Sequence, residues 1–132
     1  MNQYLLDTNI CIYYMKGLYE LAKKFERAGN ENCFISEITL AELKFGVENS
    51  QAREKNMTAL GNFLTGVTII PIFPCLDVYA KEKARLRKMG QPVDDFDLLI
   101  GATAISNGLK LVTNNVDHLS RMEGVKIEDW TK

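Results

Sequence analysis

The chain has 132 residues, with 16 Lys and Arg against 17 Asp and Glu, and a formal net charge of −1 at pH 7. Its apolar share of 46% and charged share of 25% exclude a disordered tail, a fibre and a disulfide-stapled peptide. The near-neutral charge excludes a protein that binds by bulk positive charge. The length suits one domain, so we expect a single domain over residues 1–132.

The chain has three cysteines, Cys11, Cys33 and Cys75, which are far apart and form no CxxC pair. Each lies among apolar residues, so we expect buried thiols in a reducing cytoplasm. A zinc site is not expected, because His118 is the only histidine. The N-terminus lacks the pattern of a signal peptide, and no apolar run approaches the ~20 residues of a membrane helix. We therefore expect a cytoplasmic protein that does not enter a membrane.

Short apolar runs alternate along the chain with longer helical patterns. The predicted strands are 4–6, 33–35, 67–72, 109–113 and 125–127. The predicted helices are 18–28, a helix after a Ser36 cap, 53–64, 77–89, 96–107 and a short turn near 116–122. Because the strands are nearly continuous apolar runs, they are expected to be buried on both faces. This pattern predicts a three-layer α/β/α domain with a four- or five-stranded parallel sheet.

Acidic and amide side chains follow the predicted strands where those strands end. Asp7 comes directly after the first strand, and Glu42 lies about two turns into the helix after the second. Asp97 lies in the first turn of a later helix, while Asn115 and Asp117 follow the fourth strand. The crevice of an open parallel sheet lies outside the carboxyl ends of its strands, so these side chains are expected to meet there.

An oxygen-rich group of this kind suits a hard divalent cation. Mg²⁺ takes oxygen ligands, keeps several waters and is usually held by a few carboxylates. Such ions generate a hydroxide and stabilise the charge that develops during phosphodiester hydrolysis. A cysteine, serine or histidine nucleophile is then not needed.

Each of these residues also has an ordinary structural interpretation. Asp7 is suited to cap the helix that follows it, and the acids near residue 95 suit a helix N-terminus, where the macrodipole favours negative charge. Asn115 suits a turn, and His118 is more typical of a surface or packing position than of a ligand. The joint placement of several acids at strand ends is what favours a functional site.

Four ordered segments resemble the sequence blocks of the PIN-domain family, and within it the VapC toxins of bacterial type II toxin–antitoxin pairs. The segments are YLLDTN at 4–9, ISEITLAEL at 35–43, DDFDLLIGA at 94–102 and LVTNN at 111–115. The resemblance covers nearly the whole chain and implies the PIN-like fold. It also implies a Mg²⁺- or Mn²⁺-dependent endoribonuclease that hydrolyses RNA, forms a homodimer and is held inactive by a cognate antitoxin.

The resemblance also assigns roles to particular residues. Asp7, Glu42 and Asp97 match the three main acidic positions, which implies that they are both catalytic and metal-binding. The fourth acidic position of the family falls on Asn115, where this chain departs from the pattern. Five further residues are candidates for a supporting role. They are Thr8 and Thr113 through a hydroxyl, Asn115 through an amide, and Asp94 and Asp117 through an outer carboxylate.

The helix that precedes Asp97 is rich in positive charge, with KEKARLRK at 81–88. Its Lys83, Arg85 and Arg87 are candidates for contacts with RNA phosphates. The alternative is a solvated helix face whose Lys and Arg stems cover apolar surface.

Other carboxylate-bearing α/β proteins fit the sequence less well. A phospho-signalling receiver needs an Asp at the end of its middle strand, where this chain has Phe73-Pro74. An aspartyl phosphatase needs Asp-x-Asp after the first strand, where this chain has Asp7-Thr8-Asn9. Two alternatives stay open: a catalytically silent PIN-like interaction domain and a DNA-directed nuclease.

Overall fold

The computed structural model describes residues 2–132. Its five strands form one parallel sheet in the order β3-β2-β1-β4-β5. The strands are β1 Tyr4–Leu6, β2 Cys33–Ser36, β3 Thr68–Ile70, β4 Lys110–Val112 and β5 Ile127–Glu128. The parallel sheet confirms the predicted fold class and settles the strand number at five within the described residues.

Helices connect these strands. They are α1 Thr8–Met15, α2 Leu21–Ala28, α3 Glu37–Glu48, α4 Arg53–Leu64, α5 Leu76–Lys88, α6 Asp95–Asn107 and the short α7 Val116–Leu119. No helix within residues 2–132 is both long and apolar enough to cross a lipid bilayer.

The sheet separates two apolar cores, which makes the fold three-layered. Leu6 belongs to a core formed with α1 to α4, whereas Leu5 belongs to a core formed with α5, α6 and α7. Both leucines are fully buried, and each such burial stabilises the fold by roughly 1.5–3 kcal/mol. Successive strand residues thus face opposite helix layers, as the continuous apolar runs predicted. The three cysteines are buried free thiols, as expected.

The helices differ from the sequence predictions in two main respects. Helix α1 was not predicted, because its sequence TNICIYYM is apolar on most sides and shows little helical periodicity. The predicted helix at 18–28 begins only at Leu21, since Tyr19 and Glu20 have left-handed φ angles. In α3, the large apolar residue Phe45 is 66% exposed and lies outside the core.

Strand β3 is shorter than predicted because it ends before Pro71, which has no amide hydrogen to donate to the sheet. It also forms an edge of the sheet and is not buried on both faces.

The pairing of β1 with β4 positions the crevice. Leu6 lies opposite Val112 in register, and the amide of Asp7 donates to the carbonyl of Val112 at 2.9 Å. Asp7 and Thr113 therefore leave their strands side by side. On the other flank of β1, Ser36 ends β2 and caps α3 by accepting from the amide of Thr39. These contacts direct three chain segments to one edge of the sheet.

Candidate active site

Asp7 is the most enclosed acid of the crevice, with 5% of its surface exposed. One carboxylate oxygen accepts from the amide of Thr8 at 2.7 Å, and the other accepts from the hydroxyl of Thr113 at 2.7 Å. Burial raises the pKa of Asp7, and these two hydrogen bonds oppose that rise because they favour the charged form. Asp7 thus caps α1, as the structural interpretation expected, and also lies at the centre of the acidic group.

Glu42 lies in α3 and reaches Asp7 through Thr8. Its Oε1 accepts from the hydroxyl of Thr8 at 2.6 Å, and that hydroxyl lies 3.1 Å from the hydroxyl of Thr39. The amide of Thr8 meanwhile donates to Asp7. One threonine therefore holds two of the three main acids, which supports its role as a supporting residue.

Asp97 lies in the first turn of α6 and is partly buried. Its pKa is raised from 3.8 to about 6, first by burial and then by the negative charges of Asp7, Asp94 and Glu42. The charge of His118 acts to lower the pKa of Asp97. Three carboxylates, from three chain segments, are therefore close enough to Asp97 to disfavour its ionisation.

Asn115 connects this group to the end of β4. Its side-chain Nδ2 donates to Oδ2 of Asp97 at 3.3 Å, and its backbone amide donates to the hydroxyl of Thr113 at 3.0 Å. On its other side, Oδ1 lies 3.0 Å from Nδ1 of His118. The side chain of Asn115 thus contacts Asp97 on one side and His118 on the other.

The remaining supporting candidates lie further out. Asp94 is exposed and caps α6 by accepting from the amide of Phe96 at 3.2 Å, whereas Asp95 pairs with Lys83. Asp117 is exposed in α7, and its carboxylate forms no hydrogen bond or ion pair within residues 2–132. Asn115, rather than Asp117, is the residue that the structure joins to the acids.

The donor set consists of carboxylate, hydroxyl and amide oxygens, which suits a hard cation. Among residues 2–132, no three or more His, Cys, Asp and Glu side chains form a ready-made metal cage. Mg²⁺ seldom needs one, because it keeps several waters and is usually held by one or two carboxylates. Burial and then the neighbouring negative charges raise the pKa of Asp97, and a bound cation would relieve the repulsion among those charges. The residues therefore fit a hydrated divalent cation.

The three basic residues of α5 that are candidates for RNA contacts have different surroundings. Lys83 pairs with Asp95 at 2.8 Å. Arg85 donates two hydrogen bonds to the buried carboxylate of Glu82, at 2.8 and 2.9 Å, and a third to the carbonyl oxygen of Arg121.

Arg87 instead lines a cavity of about 210 Å³ beside Asp94. It has no ion-pair partner within residues 2–132. The structure therefore commits Lys83 and Arg85 to intramolecular contacts and leaves Arg87 the better candidate for RNA.

Sequence reasoning missed two features of this region. The Glu82–Arg85 pair is signalled by its i,i+3 spacing on a helix, but spacing alone does not reveal that Glu82 is buried. The contact of His118 with Asn115 has the same three-residue spacing and gave no signal, because α7 is a single turn.

The PIN domain family matches residues 4–125 of this chain. The tRNA(fMet)-specific endonuclease VapC of Shigella flexneri is 34% identical over 133 residues, covering 99% of this chain and 100% of that protein. Ribonuclease VapC2 of Haemophilus influenzae is 36% identical, covering 98% of this chain and 99% of that protein. The DNA-bound VapBC structure from Salmonella typhimurium contains a chain with a TM-score of 0.92 and 33% identity, covering 98% and 99% of the two chains. This chain is therefore a member of the PIN-domain family, of the VapC type.

Proposed function

We propose that this chain is an endoribonuclease that depends on Mg²⁺ or Mn²⁺ and acts as the toxin of a toxin–antitoxin pair. The observation that carries this proposal is a hydrogen-bond network that brings three acids together: Thr8 joins Asp7 to Glu42. Thr113 and Asn115 join Asp7 to Asp97. The names of the relatives support a ribonuclease, and that of the Shigella flexneri protein makes tRNA the first substrate class to test.

In this proposal Asp7, Glu42 and Asp97 hold the cation. A divalent cation bound there supplies a nucleophile at neutral pH and stabilises charge on the phosphoryl oxygens. Thr113 orients Asp7 by donating from its hydroxyl to one carboxylate oxygen. Thr8 orients Glu42 in the same way. A carboxylate oxygen has two lone pairs, so both acids keep acceptor capacity toward a cation or a water molecule.

The proposed partners are a cognate antitoxin and a second copy of the chain. The solved VapBC complexes among the similar structures support the antitoxin. Exposed apolar residues support the homodimer: Phe73 is 82% exposed, and Leu76 and Ile69 near the sheet edge are also exposed.

The test is cleavage of a tRNA pool and of single-stranded DNA by the purified chain, with Mg²⁺, with Mn²⁺ and with EDTA. We expect cleavage of RNA only, lost in EDTA and in Asp97→Asn. The matched control is Asp77→Asn, which removes the same charge from an exposed site on α5. Cleavage that survives Asp97→Asn contradicts the assignment of the site.

The same assay separates the two alternatives. Cutting of DNA in preference to RNA would establish a DNA-directed nuclease. No cleavage of either, together with tight binding of an antitoxin, would establish a silent interaction domain. Expression of the chain alone should arrest growth, and expression of Asp97→Asn should not.

A further inference from the structure

A continuous line of side-chain contacts leads into the acidic crevice, from His118 through Asn115 to Asp97. His118 Nδ1 lies 3.0 Å from Asn115 Oδ1, and Asn115 Nδ2 lies 3.3 Å from Asp97 Oδ2. His118 is exposed at the outer end of this line, and Asp97 is partly buried at the inner end. His118 is also the only histidine of the chain.

The chemistry of the three groups allows one direction of hydrogen bonding. An ionised carboxylate only accepts, so Asn115 must present its amide NH₂ to Asp97. Its carbonyl oxygen then faces His118, which must carry a hydrogen on Nδ1 to donate to it. The other neutral tautomer would place two acceptors opposite each other at 3.0 Å.

Little else within residues 2–132 fixes the side-chain amide of Asn115. Its backbone amide is held by the hydroxyl of Thr113, which positions the main chain and not the side chain. The bond between Asn115 and Asp97 is long for a hydrogen bond, at 3.3 Å. Rotation of the amide by half a turn would bring its carbonyl oxygen against the carboxylate of Asp97. An acidic residue at this position would have no such ambiguity, because its two oxygens are equivalent.

We propose that His118 is a positioning residue of this active site, which holds the Asn115 amide in the orientation that donates to Asp97. The hydrogen-bond geometry carries this inference, and its catalytic consequence rests on the proposed nuclease function. His118 thereby fixes the neutral side chain that contacts Asp97. It acts through Asn115 and does not touch the reacting atoms.

The first test needs no catalysis. ¹⁵N NMR of the histidine ring in alkaline solution, where imidazole is neutral, reports which nitrogen carries the hydrogen. We expect the Nδ1–H tautomer in the wild-type chain and its loss in Asn115→Ala, which removes the acceptor. An Nε2–H tautomer in the wild-type chain would overturn the proposal, whether or not the protein cleaves RNA.

The second test is a double-mutant cycle on RNA cleavage. His118→Ala should lower kcat by about tenfold with little change in KM, the low end of losses seen when a partner of a metal ligand is removed. His118→Gln should restore part of the rate, because its amide can still donate. Ser120→Ala, in the turn that ends α7, is the control and should resemble wild type.

The cycle separates positioning from other roles of His118. In an Asn115→Ala background, His118→Ala should cause no further loss, because the group that it orients is gone. An equal loss in both backgrounds would overturn the proposal and indicate a direct role of His118 toward RNA. If the wild-type chain cleaves no RNA, the proposed function fails, and the same cycle on Mn²⁺ affinity decides the positioning role.

Discussion

The hydroxyl of Thr113 donates to Oδ2 of Asp7 at 2.7 Å, although the two residues lie 106 positions apart in the chain. The bond exists because β4 pairs directly with β1 and the two strands end side by side. The same hydroxyl accepts from the backbone amide of Asn115. Thr113 thus joins the most buried acid of the crevice to the residue that contacts Asp97.

We expect Thr113→Val to destabilise the fold while keeping its shape. The substitution removes the hydroxyl that favours the charged form of Asp7, so the pKa of Asp7 should rise further. Loss of a hydrogen bond to a buried carboxylate lowers the free energy of unfolding by about 1–3 kcal/mol. Urea denaturation at neutral pH measures this loss.

Thr103→Val is the matched control for that experiment. Thr103 is equally buried, but its hydroxyl donates to the carbonyl oxygen of Leu99 within α6 and not to a charged group. Its substitution should cost less than that of Thr113. Equal losses would show that the Asp7–Thr113 bond contributes no more than an ordinary buried hydroxyl.

The contribution of Asp97 to the stability of the fold should decline as the pH rises from about 4 to about 6. The pKa of Asp97 is raised from 3.8 to about 6, so the folded state retains a proton that the unfolded state has already released. The contribution of Asp97 is therefore most favourable in acid and falls as the pH approaches the folded pKa. We expect a decline of roughly 1–2 kcal/mol, because solvent screens this partly buried site.

Denaturation curves across this pH range, in EDTA, measure the decline. Asp97→Asn should flatten it, leaving the smaller decline due to Asp7, whose pKa burial also raises. The exposed Asp77→Asn should keep the wild-type profile. A profile of Asp97→Asn that parallels wild type would mean that Asp97 does not titrate with a raised pKa.

Divalent cations should raise the melting temperature of the folded chain. A ligand that binds only the native state raises the free energy of unfolding. At concentrations well above its Kd, this increase grows with the logarithm of the ligand concentration. Because Asp97→Asn removes one of the repelling charges, it should melt higher than wild type in EDTA and gain less from Mn²⁺. Thermal melts of both forms with EDTA and with excess Mn²⁺ check this. Identical wild-type melting in both conditions would argue against a metal site.

The parallel sheet and the acidic edge were predictable from sequence because both depend on local patterns. Helix 53–64 was predicted with its observed bounds, since its ends coincide with clear changes in pattern. Asp7 follows β1 as predicted, and sheet topology alone brings it near the end of β4. Strand ends in a parallel sheet meet whatever the details of the helices, so Asp7 and Thr113 could be placed at one edge before the fold was known.

Other features depended on tertiary contacts that no local pattern carries. The burial of α1 within a core of large apolar residues hides its amphipathic period. The distinct surroundings of Arg85 and Arg87 depend on Glu82, on the segment after α7 and on the α5–α6 cavity. These segments meet only when α5 and α7 pack on the same face of the sheet.

Arg85 and Arg87 should therefore respond differently to substitution. Arg85→Ala leaves the carboxylate of Glu82, which is 8% exposed, without its bidentate partner. Unpairing a buried charge costs about 3–5 kcal/mol at most, and we expect less here because the amide of Glu123 still donates to Glu82. Arg85→Ala should thus lower the melting temperature clearly, whereas Arg87→Ala should change it little.

Arg87→Ala should instead weaken RNA binding. If Arg87 contacts one phosphate, its loss reduces the slope of log K against log salt by about 0.7 for single-stranded RNA. Binding is measured in the Asp97→Asn background, so that RNA is not cut during titration. Lys55→Ala removes the same charge from an exposed site on α4 and should leave the slope unchanged. If Arg87→Ala and Lys55→Ala give the same slope as the parent, α5 is a solvated face, and the RNA-binding surface lies elsewhere.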